Sequence, residues 1–481
     1  MVSSDRRKWL ALALLCVIQF MVVLDIAIVN VALPSIQVDL GFTQESLQWV
    51  ISAYALVFGG FLLLGGRAAD LLGRRRIFLV GIVVFTLASL FSGLAWSEGS
   101  LITARALQGL GAAIITPAAL SILSTTFTEG RERNIALGAW GAVGGFGAAA
   151  GVLLGGILTD LLSWKWIFFV NVPVGVAGFV LAPILLKESR DASVKSFDAV
   201  GAVLVTSGLS LVVYAITQGG QHGWLAGRTV GFFAASAALL VGFVVWEQRH
   251  HEPLMRLGIL RIKTVSGANV AGFILGTATF SLFLMLTLYM QQVLDYSPLK
   301  TGIGYLPVAG GAIVTSAIAA QLVTRLGVKP VLLIGMASLT AGLAYFTQVS
   351  VGGSYLGDLL PGFLLVAVGL GFSFVPISIA ALAGVQPAEA GLASGLINTS
   401  QQIGGALGIA ALSTIATTRT THALADGSSH AAAAVTGFHW AFIAGVIVAG
   451  IGVVATLVLI RRDELEQQVV GEGEPALDLA A

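Results

Sequence analysis

Long apolar runs separated by short polar segments recur along the whole chain. A bilayer core about 30 Å thick is crossed by a helix of about 20 apolar residues, because an α-helix rises about 1.5 Å per residue. Runs of this length predict about fourteen membrane-spanning helices and an all-α integral membrane protein. The predicted spans are 9–32, 47–66, 77–96, 101–124, 135–159, 166–186, 199–217, 229–247, 266–291, 302–323, 330–348, 357–382, 391–417 and 438–460.

Basic residues are distributed unevenly between the two sides of these spans. Of the 25 Lys and Arg residues, 20 fall on the side of the N-terminus, four on the opposite side, and Arg105 lies inside a span. Cytoplasmic loops carry an excess of Lys and Arg, so both termini are expected in the cytoplasm of a multi-pass protein of the cell membrane. The first apolar run reaches spanning length with no obvious cleavage site, which predicts a retained helix instead of a signal peptide.

Composition excludes a soluble protein. Hydrophobic residues make up 57% of the 481 positions and charged residues only 10%, against about 25% charged in a typical soluble domain. The net charge of +1 gives no indication of a nucleic-acid partner. The single cysteine, Cys16, excludes an internal disulfide and a thiolate metal cluster.

A weak repeat relates the first and last thirds of the chain. Gly109 and Gly111 match Gly369 and Gly371. Gly73, which precedes two arginines, matches Gly327, which precedes Val328 and Lys329. Pseudo-symmetric halves of this kind are typical of transporters that bind substrate between them. The sequence therefore predicts two six-helix bundles at 9–186 and 264–460, a linker with two extra helices at 187–263, and a disordered cytoplasmic tail at 461–481.

The loop between the second and third predicted helices carries a specific pattern. It places Gly66, Asp70, Gly73, Arg74 and Arg75 at the spacing Gly-x-x-x-Asp-x-x-Gly-Arg-Arg. This pattern resembles the loop signature of the major facilitator superfamily. The resemblance implies that the aspartate and the arginines form an ionic latch for one conformational state and that the glycines permit close approach. The alternative is an ordinary basic anchor of a cytoplasmic loop.

Segments 24–34, 105–109 and 163–173 look like the fourteen-helix drug:H⁺ antiporter branch of that superfamily, and the likeness runs from about 9 to 460. The resemblance implies a proton-coupled secondary active exporter of lipophilic or amphiphilic small molecules such as drugs, dyes or antibiotics. Such a carrier works by alternating access, uses the proton gradient instead of a bound cofactor, and is expected to be a monomer in the lipid bilayer.

The fifth predicted helix carries the glycines of the antiporter signature of that branch, with one departure. Gly147, Gly151, Gly155 and Gly156 are present, but Val152 stands where the signature has proline. Without the proline ring the kink is weaker, which makes the indication of export less specific. The alternative is a face of small residues that serves helix packing alone.

Two charged residues lie inside predicted spans. Asp25 is roughly 24 Å along its outward-running helix and Arg105 roughly 7 Å along an inward-running one, which places both at similar depth. A charge inside the membrane costs about 2.5 to 3.5 kcal/mol even on the lenient scale. The sequence therefore predicts that Asp25 carries the proton and Arg105 modulates it. A purely structural ion pair is the alternative.

The substrate cavity is predicted from polar and aromatic residues within spans. Three of them share one helix face through i, i+3 and i+4 spacing, although a hydrogen bond between helices is the alternative for each. The candidates are Gln108, Trp140, Phe283, Gln292, Phe374, Asn398, Gln401 and Gln402.

Other functions remain open at this point. A related carrier of a metabolite or lipid fits the same features. A membrane enzyme or an ATP-driven pump fits poorly, because no Gly-x-x-x-x-Gly-Lys-[Ser/Thr] nucleotide cradle occurs. The loop residues His250, His251, His422 and Asp426 form no credible metal or catalytic constellation, so we expect neither a metal nor enzymatic activity.

Overall fold

The computed structural model describes residues 4–127, 131–190, 198–250, 253, 257–383, 385 and 390–461, and within these residues it is helical without a strand. Helices that continue after a one-residue break carry a single label here. In chain order they are α1 (Ser4–Leu40), α2 (Gln44–Leu72), α3 (Arg74–Gly93), α4 (Glu98–Thr126), α5 (Arg131–Leu161), α6 (Trp166–Leu185), α7 (Ala199–His222), α8 (Gly227–Arg249), α9 (Lys263–Val293), α10 (Pro298–Leu326), α11 (Val328–Phe346), α12 (Tyr355–Ala380), α13 (Ala390–Ala425) and α14 (His430–Leu459).

Twelve of these helices are long and apolar enough to cross a membrane. The other two, α5 and α13, coincide with the predicted spans 135–159 and 391–417 but are not among the twelve. The all-helical membrane fold is therefore confirmed, whereas the count of fourteen crossings stays a prediction. Of the predicted disordered tail, only Arg461 belongs to the described residues.

Local sequence explains where several helices begin and end. Thr43 and Ser46 form a reciprocal capping box at the start of α2, with both backbone-to-hydroxyl distances at 3.0 Å. Gly73 separates α2 from α3 with φ of 111°, and Gly327 separates α10 from α11 with φ of 82°. A side chain disfavours this left-handed backbone, so glycine at both positions permits the sharp turn between consecutive helices.

The first six helices and the last six pack in the same arrangement. In the first group the main helix pairs are α1 with α5, α1 with α6, α2 with α4, α3 with α4 and α3 with α6. In the last group the corresponding pairs are α9 with α13, α9 with α14, α10 with α12, α11 with α12 and α11 with α14, and α13 also packs extensively on α14. Each main pair of the first group thus has a counterpart eight helices later.

The glycines of the repeat lie at these helix pairs. A methyl group added at Gly111 would lie 2.6 Å from the backbone nitrogen of Phe85 on α3. One added at Gly369 would lie 2.8 Å from the backbone nitrogen of Leu339 on α11. Small residues let helices approach closely where no hydrophobic driving force joins them, so α4 and α12 occupy equivalent positions in their groups.

The two groups, called the N-half (α1–α6) and the C-half (α9–α14) below, meet along two seams and between α1 and α9. One seam joins α5 to α10, and the other joins α2 to α13. Within the first six helices and within the last six, consecutive helices are joined by nine residues or fewer, so they run in opposite directions. We call the end where α1 begins the terminal face. Gln291 donates to the carbonyl of Val31 at 2.8 Å, and Gln292 donates to Gln37 at 3.0 Å, so these contacts lie towards the opposite face.

The two central helices form a hairpin on one seam. Helix α7 contacts both α2 and α13, whereas α8 packs on α7. Gln48 Nε2 donates to Thr217 Oγ1 at 2.8 Å, and both side chains are buried. The hairpin therefore covers the α2–α13 seam and is hydrogen-bonded to the N-half.

Candidate functional site

The two charges predicted inside the membrane contact each other. Arg105 Nη1 on α4 lies 2.6 Å from Asp25 Oδ2 on α1, and the side chains are 1% and 0% exposed. A buried carboxylate loses its hydration, and a guanidinium at hydrogen-bond distance is the partner that compensates best. The geometry thus joins α1 to α4 in the interior of the N-half.

Two amides complete the surroundings of the carboxylate. Gln108 Nε2 donates to Asp25 Oδ1 at 2.7 Å, and Asn171 Nδ2 on α6 donates to the same oxygen at 2.9 Å. Gln108 also accepts from Arg105 Nη1 at 2.8 Å through its own oxygen, which fixes the orientation of its amide. Every described hydrogen bond of Asp25 is therefore one that the carboxylate accepts.

A serine on α3 connects the amides to the backbone of α6. Ser89 Oγ accepts from Gln108 Nε2 at 3.1 Å and from Asn171 Nδ2 at 3.0 Å. Its hydroxyl donates to the carbonyl of Phe168 at 2.9 Å. Asp25, Ser89, Arg105, Gln108 and Asn171, all buried, form what we call the Asp25 network. The network unites α1, α3, α4 and α6.

Aromatic rings and the backbone of α2 surround the guanidinium. The carbon Cζ of Arg105 lies 4.4 Å from the ring centroid of Tyr54 and 5.7 Å from that of Phe168. Arg105 Nε donates to the carbonyl of Val50 at 3.1 Å. Cation–π contacts in a desolvated site are worth about 2 kcal/mol, so the arginine is held independently of the carboxylate.

The glycines of the fifth predicted helix face the segment that carries Asp25. A methyl group added at Gly155 would lie 2.7 Å from the carbonyl oxygen of Ile28, and one at Gly151 would lie 3.0 Å from the carbonyl oxygen of Leu24. Gly147 is similarly close to the side chain of Val23, at 3.0 Å. The glycine face therefore lets α5 approach α1 on both sides of Asp25.

Gly156 has a different neighbour. A methyl group there would lie 2.7 Å from the carbonyl oxygen of Pro298 on α10, in the seam between the halves. The Val152 backbone oxygen is in turn close to Gly302, and α5 continues unbroken through this valine. The glycines thus belong to two contacts, one with α1 and one with the C-half.

The loop between α2 and α3 is held within the N-half. Arg74 lies 2.8 Å from Asp70 Oδ1, and Ser121 Oγ on α4 donates to the same oxygen at 3.2 Å. A methyl group added at Gly66 would lie 3.4 Å from Pro117, an ordinary contact. Asp70 and Arg74 are therefore paired, whereas their role as a latch between the halves stays a prediction.

Glu188 caps the helix that follows this loop. Its carboxylate accepts from the backbone N–H groups of Arg75 at 3.1 Å and Arg76 at 3.2 Å, in the first turn of α3. A methyl group added at Gly73 would lie 2.9 Å from Glu188 Oε1. An anion at a helix N-terminus complements the helix dipole, so Glu188 joins the loop to the segment after α6.

The predicted substrate-cavity residues do not form one cluster. Gln108 belongs to the Asp25 network. Trp140 packs, partly buried, on the core of the N-half, and Phe283 contacts Tyr305 with ring centroids 5.0 Å apart. Phe374 is 42% exposed, and Gln292 lies at the contact with Gln37 near the opposite face.

The polar patch on α13 is divided between neighbours. A methyl group at Gly59 of α2 would lie 3.0 Å from Gln402 Cβ, and one at Gly272 of α9 would lie 3.5 Å from Gln401. Asn398 is exposed and donates to the carbonyl of Ser394 at 3.0 Å. Gln401 and Gln402 thus lie against different helices. The assignment of all eight predicted residues to a substrate cavity stays a prediction.

Sequence reasoning missed Ser89, Asn171 and Glu188. Asn171 lies in one of the segments that resemble the antiporter branch, so the resemblance could have drawn attention to it. A single serine within a span is common and carries no comparable indication. Glu188 follows a span end, where the sequence alone does not show which helix it caps.

Comparisons with known proteins agree with this architecture. The sequence profile of the Major Facilitator Superfamily matches residues 15–409. The chain is 42% identical over 438 residues to a puromycin resistance protein of Streptomyces alboniger, covering 90% of this chain and 87% of that protein. It is 39% identical over 424 residues to a cephamycin export protein of Amycolatopsis lactamdurans, covering 87% of each.

Solved structures share the fold at low sequence identity. A bacterial homologue of the human lysosomal transporter Spinster, in an inward-facing and unoccupied conformation, gives a TM-score of 0.66 at 16% identity and covers 96% of this chain and 98% of that one. A peptide transporter gives a TM-score of 0.67 at 15% identity and covers 93% of both chains. Together with the family profile and the repeated six-helix arrangement, these matches lead to one conclusion: the chain belongs to the major facilitator superfamily and is a transporter, not an enzyme.

Proposed function

We propose that this protein exports lipophilic or amphiphilic small molecules, such as antibiotics or dyes, in exchange for protons. The observation that carries the proposal is the buried contact between Asp25 and Arg105, because charges are retained inside a membrane where they serve transport. Two relatives are named for puromycin resistance and cephamycin export, which favours a drug as cargo.

The proposed setting is the cell membrane, with both termini in the cytoplasm. The excess of Lys and Arg in the loops on the terminal side supports this orientation. In that orientation the contacts of Gln291 and Gln292 with α1 close the outer side. Rocking of the N-half against the C-half would break these contacts and open the cavity outward. One chain supplies both halves, so we propose that the monomer is sufficient for transport.

The Asp25 network fits the ionised form of the carboxylate. Arg105, Gln108 and Asn171 all direct N–H donors at its two oxygens. A protonated carboxyl group must itself donate one hydrogen bond, and none of these contacts offers an acceptor. Proton uptake by Asp25 therefore requires the network to rearrange. The hydrogen bonds of the network thus differ between the protonated and the ionised form of Asp25.

Asn171 is the group that can rearrange at least cost. Turning the Gln108 amide would direct its N–H groups at the guanidinium of Arg105, so two hydrogen-bond donors would face each other, which is unfavourable. Turning the Asn171 amide by 180° would instead present Oδ1 to the protonated carboxyl, and the Ser89 hydroxyl could then donate to Asn171 in place of the Phe168 carbonyl. Protonation of Asp25 on α1 would thus free the backbone carbonyl of Phe168, close to the break in α6.

Transport by reconstituted protein tests the proposal. In proteoliposomes with an imposed proton gradient, Asp25→Asn is expected to abolish proton-driven dye efflux, because the amide cannot carry the proton. Asp160→Asn serves as the matched control, since Asp160 is an exposed acid on α5. Undiminished proton-driven efflux by the Asp25 variant would sink the assignment.

Intact cells test the energy source and the cargo. Efflux of a dye should stop on addition of a protonophore, whereas efflux that is insensitive to a protonophore would point to ATP. A growth-inhibition panel of dyes, quaternary ammonium compounds and antibiotics, with and without expression, should reveal protection. If no compound in the panel distinguishes the strains, the alternative of a metabolite or lipid carrier becomes the better one.

A further inference from the structure

A groove lies at the opposite face, between the tip of the central hairpin and the C-half. Its volume is about 350 Å³, at the lower end of the range typical of small-molecule sites. It touches the α7–α8 connection, α13 and α14, and it involves no residue of the Asp25 network. Its lining includes Trp224, Thr414, Thr418, Arg419, Trp440 and Ile447.

Arg419 is the only charged residue in this lining. Its Cζ lies 4.0 Å from the ring centroid of Trp440, which holds the guanidinium in place. No carboxylate among the described residues lies within ion-pair distance of it. By contrast, Lys165 at the same face lies 3.8 Å from Asp39, whereas Arg228, outside the groove, donates to the neutral hydroxyl of Tyr214 at 3.3 Å. Arg419 therefore brings an uncompensated positive charge to the groove.

The groove changes from polar to apolar along α14. From Trp440 to Ile447 it extends about 10 Å, since seven residues of helix rise about 1.5 Å each. Ile443 and Ile447 are exposed on this wall. Trp440, 42% exposed, lies at the end with the arginine, and Trp224, 54% exposed, also lines the groove. Tryptophan rings of this kind mark the level of lipid headgroups, so the apolar wall lies at the level of the acyl chains.

We infer that this groove binds an anionic phospholipid. Its phosphate would contact the guanidinium of Arg419 and the hydroxyl of Thr418, because guanidinium groups match phosphate oxygens in bidentate geometry. An acyl chain would lie along Ile443 and Ile447. A zwitterionic lipid would bring its own cation towards Arg419, and this repulsion selects for a headgroup with net negative charge.

The bound lipid would join the hairpin to the C-half. Trp224 belongs to the hairpin, and Gly220 of α7 packs closely against the Thr414 side chain of α13. The hairpin is also hydrogen-bonded to the N-half through Gln48 and Thr217. The lipid therefore occupies a place from which it supports the hairpin across the α2–α13 seam, whatever the cargo of the transporter.

Lipid binding by the purified full-length protein tests the inference. Delipidated protein is titrated with phosphatidylglycerol and, separately, with phosphatidylcholine, and bound lipid is counted by native mass spectrometry. We expect wild type to prefer phosphatidylglycerol and Arg419→Gln to weaken that binding by about tenfold, since a hydrogen bond to a charged group is lost. Arg228→Gln, which removes a charge at the same face outside the groove, should bind as wild type does.

A second variant tests the acyl-chain wall without changing charge. Ile447→Trp fills the apolar part of the groove from an exposed position, so folding should be retained, as size-exclusion chromatography can verify. We expect it to weaken phosphatidylglycerol binding as well, and neither inorganic phosphate nor glycerol 3-phosphate should compete at equal concentration. Equal binding of both lipids, the same loss in Arg228→Gln, full binding by either groove variant, or competition by free phosphate would overturn the inference.

Discussion

Asn171 Nδ2 lies 2.9 Å from Asp25 Oδ1, so a neutral amide on α6 donates to the carboxylate that we propose carries the proton. The same amide nitrogen lies 3.0 Å from Ser89 Oγ. Asn171 therefore contacts both the proposed proton site and the hydroxyl that is bonded to the α6 backbone. Through this position Asn171 connects the protonation of Asp25 on α1 with the conformation of α6.

Replacement of that amide should impair coupling. Asn171→Leu keeps the approximate volume but removes the donor and the acceptor, and we expect the initial rate of proton-driven efflux to fall by about tenfold, corresponding to one hydrogen bond to a charged group. The measurement is dye efflux from proteoliposomes at matched protein content. Asn30→Leu is the control, because within the described part of the chain the Asn30 amide donates only to carbonyls of its own helix, at 3.1 Å from Ile26 and 3.5 Å from Ala27. Equal rates for the two variants would contradict the role of Asn171.

Removal of one partner of the buried ion pair should destabilise the protein. Arg105→Gln leaves Asp25 without its cation, and breaking a buried pair in this way typically costs about 3 to 5 kcal/mol. The double variant Asp25→Asn with Arg105→Gln removes both charges of the pair, so thermal unfolding in detergent should show recovery of much of the loss while efflux stays absent. Lys8→Gln disrupts the partly exposed pair with Glu132 and should change stability by less than about 1 kcal/mol. Additive losses in the double variant would show that the two residues do not interact.

The ion pair could be predicted from the sequence because buried charges are rare. Asp25 and Arg105 are exceptional inside spans, and counting residues along each helix placed them at similar depth. The sequence does not show that Gln108 contacts Asp25, for a physical reason. A neutral polar residue in a span is common, and its partner depends on the rotation of the helix, which the sequence does not specify. Ser89 and Asn171 escaped attention for the same reason.

The glycine pattern was informative about packing but not about which helix is the neighbour. Gly73 and Gly327, which the repeat pairs, both lie at a turn between consecutive helices. Gly151 and Gly155 face α1, whereas Gly156 faces α10, one position further along the same helix. Adjacent residues on a helix point about 100° apart, so a run of small residues serves two neighbours, and only the three-dimensional arrangement separates them.

The contact of α5 with α1 should tolerate no side chain at Gly155. In Gly155→Val the added atoms would meet the carbonyl oxygen of Ile28, at 2.7 Å from the first of them, and overpacking of this kind typically costs about 1 to 3 kcal/mol. We expect lower accumulation in the membrane and slower efflux per molecule, measured by immunoblot and dye transport. Gly138→Val on the same helix is the control, because no described atom lies within 4 Å of its added atom. Wild-type efflux by the Gly155 variant would show that close approach of α5 to α1 is not required.

Opening at the face opposite the termini should require Gln37 and Gln292 to separate. Their side-chain amides lie 3.0 Å apart across the two halves, so cysteines at both positions in a Cys16→Ser background should be joined by a short bis-methanethiosulfonate cross-linker, which makes up for the shorter cysteine side chains. Because the cross-link would hold this face closed, we expect cross-linking to stop efflux and reduction to restore it, while either single cysteine variant remains active after the same treatment.

The same cysteines test the orientation in the membrane. With both termini in the cytoplasm, an impermeant maleimide added to intact cells should label the single variant Gln292→Cys, because this residue is exposed at the opposite face. A cysteine replacing Arg76 at the start of α3, on the terminal side, should be labelled only after the membrane is permeabilised. Labelling of the α3 variant in intact cells would reverse the proposed orientation. Continued efflux by the cross-linked double variant would show that the halves need not separate here, because a covalent link between α1 and α9 is incompatible with outward opening at this face.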